Sequence, residues 1–133
     1  MRERFLLPQL SEFRFAHGSP VVKLCNGLLA DALNRGFERL EVLEPPAGSA
    51  IAEIRAYKGG LSSQFFALPS SMHPIVVHRF KAMAKMRRAR PADTRGMIRF
   101  EGGRRKPIEI QVTTSTRTDG RADVIMKLPA SGV

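Results

Sequence analysis

The stretch that decides the fold runs from residue 50 to residue 68 and reads AIAEIRAYKGGLSSQFFAL. In its first half, Ala52, Ile54 and Ala56 alternate with Glu53 and Arg55, and such alternation is typical of a β-strand with one buried face. The KGG sequence at residues 58–60 predicts a tight hairpin turn, after which residues 61–68 return as a second strand. The sequence therefore predicts an antiparallel hairpin as the centre of the fold.

Upstream of the hairpin, the sequence predicts another strand and a helix. Residues 40–44 alternate like a half-buried strand and end in the turn sequence PPAG at residues 45–48. Before them, apolar residues spaced by threes and fours predict a helix over residues 19–35. Ser19 is a suitable N-cap, Pro20 suits the first helical position and Gly36 suits the residue after the helix. These elements give the order helix, strand, strand, strand.

Downstream of the hairpin, the same order is predicted a second time. Residues 69–71 introduce a second helix that runs to about residue 88, with Val76, Phe80 and Met83 as its core stripe and basic residues on the opposite face. Three strands follow at residues 97–101, 107–115 and 122–128. We therefore expect a two-layer α+β domain of order α-β-β-β-α-β-β-β. Its mainly antiparallel sheet of about six strands, in two three-stranded groups, packs against two principal helices.

Length and composition favour one small domain in a reducing compartment. The chain has 133 residues, of which 43% are hydrophobic, enough for a single core. We assign residues 19–128 to this domain, residues 1–18 to an N-terminal arm and residues 129–133 to a tail. No apolar run approaches the length of a membrane span, so we expect no membrane insertion and a cytoplasmic location. The single cysteine, Cys25, and three scattered histidines, of which His73 starts the second helix, predict neither a disulfide nor a metal site.

Positive charge is concentrated in one segment of the chain. Between Arg79 and Lys106 there are eleven basic side chains and two acidic ones, which gives a local charge of +9 against +10 for the whole chain. The remaining residues are therefore almost neutral, and a charged partner is expected to bind this segment. Its basic surface is predicted to include, besides the residues between the second helix and the next strand, Arg79, Lys81, Lys85, Arg104, Arg105 and Lys106.

Several short motifs follow one another in a definite order and spacing. They are PVVKLCN at residues 20–26, LEV at 40–42, FKAMA at 80–84, RPADTR at 90–95, IQVTT at 110–114 and DVIMKL at 123–128. Together they resemble the domain that precedes the motor domain in type II secretion and type IV pilus assembly ATPases, over about residues 19–128. The chain departs from the family pattern at Glu38, Arg39 and Glu41, and at Thr94, which replaces the glycine of an Asp-Gly-Arg turn.

The resemblance implies a role for the segment around residues 88–95. In the family, arginines at this junction reach the phosphates of the nucleotide on the motor domain, and the matching residues are Arg90 and Arg95, with Arg88 beside them. The 133 residues contain no Gly-x-x-x-x-Gly-Lys-Ser/Thr loop, so we expect neither ATPase activity nor a cofactor. The resemblance thus implies a non-catalytic copy that docks on a secretion or pilus ATPase or on its platform. Whether the chain also forms a homo-oligomer is left open by the sequence.

Two other interpretations of the basic segment stay open. A net charge of +10 also suits sequence-independent binding of nucleic acid, although the segment offers only Phe80 and Phe100 for base stacking, and both are expected to be buried. An enzyme of another class would need a nucleophile next to a base. No serine has an evident base, and Cys25 lies on the apolar face of its helix.

Overall fold

A computed structural model describes residues 20–86, 94–101 and 106–129 of the chain. These residues form two helices and six strands in the predicted order, which confirms the α+β fold. The elements are α1 (Pro20–Asn34), β1 (Arg39–Val42), β2 (Ile51–Lys58), β3 (Leu61–Pro69), a 3-10 turn (Ser70–Met72), α2 (His73–Met83), β4 (Arg95–Phe100), β5 (Ile108–Thr116) and β6 (Ala122–Lys127). The predicted arm at residues 1–18 and the tail beyond Pro129 lie outside the described residues.

The two predicted groups of three strands form one continuous antiparallel sheet of order β3-β2-β1-β6-β5-β4. The junction is the short strand β1, which pairs with β2 on one side and with β6 on the other. Leu40 thus lies beside Ala56 in one neighbour and Met126 in the other. Within the described residues β3 and β4 are the two edges of the sheet.

The core lies between the helices and one face of the sheet. Side chains alternate across a strand, so one face carries Leu40, Ile54 and Ile110, all fully buried, while the other carries Glu41 and Arg55, which are half-buried. Each large apolar side chain that is removed from water contributes about 1.5–3 kcal/mol to folding. The helices complete the core with Leu24, Cys25, Leu28, Leu29, Ala32 and Leu33 from α1 and Val76 and Phe80 from α2.

The two helices end in the same way, although only one end was predicted correctly. After α1, Gly36 has a φ of 76°, and the amides of Gly36 and Phe37 donate to the carbonyl oxygens of Leu33 and Ala32. The end of α2 was predicted near residue 88, but the helix ends at Met83. Good helix formers continue beyond Met83, which is why the sequence pattern suggested a longer helix.

The earlier end of α2 follows from contacts with β4. Lys85 adopts a φ of 60°, and the amide of Met86 donates to the carbonyl oxygen of Lys81 at 2.9 Å, closing the helix. The turn buries both Ala84 and Met86. Both residues lie against Gly96 of β4, where a Cβ atom would come within 2.6 Å of the Ala84 carbonyl oxygen. The end of α2 and strand β4 therefore form one tightly packed unit.

Candidate interaction surface

The predicted contact residues fall partly inside the described structure. Arg95 is the first residue of β4 and is exposed. Arg88 and Arg90 lie outside the described residues, as do Arg104 and Arg105 of the wider basic surface. The structure therefore locates one of the three arginines that the family resemblance singled out.

The lysines of the predicted basic surface take different positions. Lys85 and Lys106 are exposed, whereas Lys81 in the last turn of α2 is half-buried. Because Lys85 occupies the left-handed position that ends α2, its backbone conformation is fixed by the helix end. Lys81 and Lys85 thus lie at the end of α2, whereas Lys106 precedes β5, whose first residue, Ile108, pairs with Phe100 at the other end of β4.

Arg79 does not lie on the outer face of α2, so that expectation was wrong. It follows the buried Val76 by three positions and precedes the half-buried Met83 by four, which places it on the same helical stripe. Its side chain is half-buried, and its Nε is buried with no hydrogen-bond partner in the described part of the chain. A buried N–H without a partner is costly, by about 1–3 kcal/mol.

Arg79 lines a cleft of about 640 Å³ between α1, α2 and β4. Part of the lining is apolar and comes from Ala30, Met83, Ile98 and Phe100. The rest is polar or backbone and comes from Asn26, Gly27, Arg79, Arg99 and Glu101. The cleft thus combines an apolar lining with two arginines, Arg79 from α2 and Arg99 from the edge strand β4.

The described arginines divide into two groups by whether they form a salt bridge. Arg79, Arg95 and Arg99 form no salt bridge within the described residues, and all three lie on α2 or β4. We call these three residues the basic edge. The paired arginines all lie elsewhere, in the bridges Arg35–Asp31 (3.1 Å), Arg39–Glu41 (3.1 Å), Arg55–Glu53 (2.8 Å), Arg117–Asp123 (3.0 Å) and Arg121–Asp119 (2.6 Å).

The acidic residues nearest to the basic edge form no salt bridge with its arginines. Glu109 lies directly opposite Arg99 in the β4–β5 register, yet no N–O distance between them is within the 4.0 Å of a salt bridge. Glu101 follows β4 and is exposed. Arg95 and Arg99 are exposed and therefore available to an anion from outside the described part of the chain, while Arg79 lines the cleft.

Cys25 of α1 behaves as a buried apolar residue, as predicted. It is fully buried, and this burial raises the pKa of its thiol to about 12, although the positive charge of Arg79 acts in the opposite direction. The thiol is therefore neutral near pH 7, and a neutral thiol is a poor nucleophile.

A second polar cluster, which sequence reasoning missed, ties together one end of the sheet. The Asp123 carboxylate accepts hydrogen bonds from the amide of Glu44 and from Nη2 of Arg117, both at 3.0 Å. Arg117 also donates to the carbonyl oxygen of Glu44 at 2.8 Å. Because Glu44 and Asp123 are 79 positions apart, no local spacing signals their contact.

His73 belongs to the same end of the fold as this cluster. It is the first residue of α2, as predicted, and is 8% exposed, with an Nε2 atom that has no hydrogen-bond partner among the described residues. Burial lowers the pKa of His73, while the carboxylates of Glu44 and Asp123 partly offset this effect. The arrangement favours a neutral imidazole in a structural position.

Comparisons with known proteins assign no family. No protein-family model and no curated protein matches the chain. Among the described residues, no helix is long and apolar enough to cross a membrane. The same residues contain no group of three or more His, Cys, Asp or Glu side chains that could hold a metal ion. The resemblance to the secretion and pilus ATPase domain therefore stays a prediction.

Proposed function

We propose that this chain is a non-catalytic interaction domain that docks on a component of a secretion or pilus assembly machine through its basic edge. The observation that carries the proposal is the division of the arginines. Each described arginine outside α2 and β4 has a carboxylate partner, whereas Arg79, Arg95 and Arg99 have none. The family resemblance of residues 19–128 supports the class of partner.

The chemistry of the basic edge suits a partner that carries carboxylates or phosphates. A guanidinium presents its N–H donors in a planar fork that matches either anion with two parallel hydrogen bonds. Arg95 and Arg99 are exposed on alternate positions of one strand, so their side chains project from the same face of β4. Arg79 and Arg99 both line the cleft. An acidic surface is therefore expected to contact several guanidinium groups at once.

A catalytic role has less support from the described residues. Cys25 is neutral near pH 7 because burial raises its pKa to about 12. His73 is buried, whereas a general base must be accessible to its substrate. Its Nε2 has no hydrogen-bond partner among the described residues, so it does not activate a nucleophile there. Binding without chemistry is the function that these features favour.

The proposal can be tested with two variants of equal charge. The first, Arg95→Gln with Arg99→Gln, removes two unpaired arginines, and the control, Arg55→Gln with Arg121→Gln, removes two paired ones. Arg95 and Arg99 form no salt bridge among the described residues, and surface salt bridges such as those of Arg55 and Arg121 contribute only about 0–1 kcal/mol, so both variants should fold. Each tagged protein is used to capture partners from a nuclease-treated lysate of its own source, and the partners are quantified by mass spectrometry.

We expect the wild-type protein and the control to recover a secretion or pilus ATPase or its platform, and the Arg95/Arg99 variant to recover much less. Adding Arg88→Ala and Arg90→Ala tests the remaining arginines that the resemblance indicates. Equal losses in the variant and its control would mean that only net charge matters. Recovery of no secretion or pilus component by the wild-type protein would refute the proposal.

The same unpaired arginines keep nucleic-acid binding as a second candidate function. Against it, the open face of the sheet offers Tyr57, but Arg39 covers its ring at 4.1 Å and its hydroxyl donates to Glu41 at 3.1 Å. Phe80 and Phe100 are buried, as expected, so neither provides a stacking surface. If partners are captured only from a parallel lysate without nuclease, and are lost at moderate salt, the basic edge is a nucleic-acid surface instead.

A further inference from the structure

Strand β4 exposes a row of backbone groups at the edge of the sheet. It pairs with β5 alone among the described residues. Next to the strand, the amide of Thr114 donates to the carbonyl oxygen of Thr94 at 2.9 Å, and these two residues lie in register. Because hydrogen-bonded and non-hydrogen-bonded pairs alternate in an antiparallel ladder, the N–H and C=O groups of Arg95, Met97 and Arg99 point away from β5.

The two edges of the sheet differ in how well they could accept another strand. The pairing of the opposite edge strand β3 with β2 is interrupted by a bulge between Ile54 and Arg55, and β3 ends in Pro69. Bulges and prolines are common devices against pairing at an edge. By contrast, β4 is paired in an unbroken register from Arg95 to Phe100 and contains no proline. The β4 edge is therefore the better template for strand addition.

The cleft opens beside the same strand. Ile98, Arg99 and Phe100 belong to β4 and also line the cleft. Side chains of an added strand alternate between the two faces of the sheet. One row of an added strand would face the helices and the cleft, where Met83 and the buried Nε of Arg79 lie, and the other row would face Arg95 and Arg99.

We propose that β4 accepts an extended acidic segment of a partner protein as a seventh strand, with apolar side chains in the cleft and carboxylates on the basic edge. This inference rests on the proposed docking function and specifies its mode. The charge of the edge selects the occupant. A second copy of β4 would place arginines against arginines, and residues 1–19 carry three arginines but only two glutamates.

The proposal is tested by amide hydrogen exchange and by a proline that removes one outward N–H. The probe is the peptide acetyl-Glu-Val-Glu-Val-Glu-Val-amide, which matches the six residues of β4. A peptide with the same composition in two blocks, three Glu followed by three Val, is the control. Met97→Pro removes an outward donor but leaves the bonds to β5, whereas the control Met97→Ala keeps the donor. Thermal unfolding verifies that both variants fold.

We expect the alternating peptide to slow exchange at the amides of Arg95, Met97 and Arg99, which should exchange quickly in the protein alone. Met97→Pro should weaken peptide binding by about tenfold or more, and Met97→Ala should change it little. Failure of the alternating peptide to bind at millimolar concentration, or protection of the three amides before peptide is added, would overturn the proposal.

The outcomes also separate this inference from the docking function. In one outcome, the peptide binds and the Arg95→Gln/Arg99→Gln variant binds it more weakly, but the three amides stay unprotected and Met97→Pro binds the peptide normally. In that case strand addition is wrong, and docking through the arginine side chains is retained. If the amides are protected but no secretion or pilus component is captured, strand addition stands and the proposed partner is wrong.

Discussion

The close packing of α2 on β4 at Gly96 predicts that adding one methyl group there destabilises the fold. In the Gly96→Ala variant, the new Cβ would lie 2.6 Å from the carbonyl oxygen of Ala84, 2.6 Å from Cγ of Met86 and 2.8 Å from Cβ of Ala84. The Met86 side chain can move aside, but the Ala84 carbonyl is backbone at the end of α2. The end of the helix must therefore move away from β4.

The expected effect is a moderate loss of stability. Overpacking a core typically costs about 1–3 kcal/mol, and replacing glycine returns about 0.4–1 kcal/mol by restricting the unfolded chain. The net loss should be about 1–2 kcal/mol. For a domain of this size, each kcal/mol changes the Tm by about 3–5 °C, so we expect the Tm to fall by roughly 3–10 °C. Thermal unfolding followed by circular dichroism measures this shift.

The same substitution at Gly27 provides a control of opposite sign. Gly27 lies within α1, and a Cβ atom built there has no neighbour within 4 Å. Alanine is favoured over glycine inside a helix by about 0.5–1 kcal/mol, so Gly27→Ala should raise the Tm by a few degrees. If Gly96→Ala also raises the Tm or leaves it unchanged, the close approach of α2 to β4 is refuted.

Three further predictions concern single residues. Lys85 has a φ of 60°, so Lys85→Gly should raise the free energy of unfolding in urea by about 1 kcal/mol, and Lys85→Ala should not. Burial lowers the pKa of His73 from 6.5, so the contribution of the neutral imidazole to stability is complete above pH 6.5 and is lost as the pH drops below it. In Tm measurements across this pH range, His73→Gln should make the decrease in Tm at low pH smaller. An unchanged pH profile would contradict the lowered pKa of His73. Cys25, whose pKa is raised to about 12, should react with a thiol reagent only after unfolding, and rapid labelling of the native protein would show that it is accessible.

The order of the elements could be predicted because each depends on local patterns. Alternation between residues 50 and 68 gave the hairpin, and the apolar spacing before Gly36 gave α1 to within one residue at each end. The joining of the two halves could not be predicted in the same way. Strand β1 has only four residues, and its partner β6 lies more than 80 positions later in the chain. Such pairing is decided by the whole core, not by local sequence.

The candidate site could be predicted as a segment but not as a surface. The charge count placed it between Arg79 and Lys106, and the structure keeps Arg95 exposed there. The spacing of Arg79 from Val76 and Met83 would have predicted that it lies on the inner stripe of α2. Its charge instead led to the prediction of an outer face. The salt bridges that distinguish one arginine from another depend mostly on register and side-chain conformation. Only Arg35–Asp31, four positions apart at the end of α1, follows a sequence rule.

Gly96 connects the packing of the fold to the chemistry of the basic edge. A glycine inside a strand pattern often marks a close backbone approach, and here it allows the end of α2 to lie directly on β4. That contact holds Arg79 of α2 and Arg99 of β4 at the same cleft. A helix displaced by even one methyl group would separate these guanidinium groups and change the opening beside the free edge. The tight contact at Gly96 is therefore expected to matter as much for the arrangement of the basic edge as for stability, and both effects originate in the absence of a single Cβ atom.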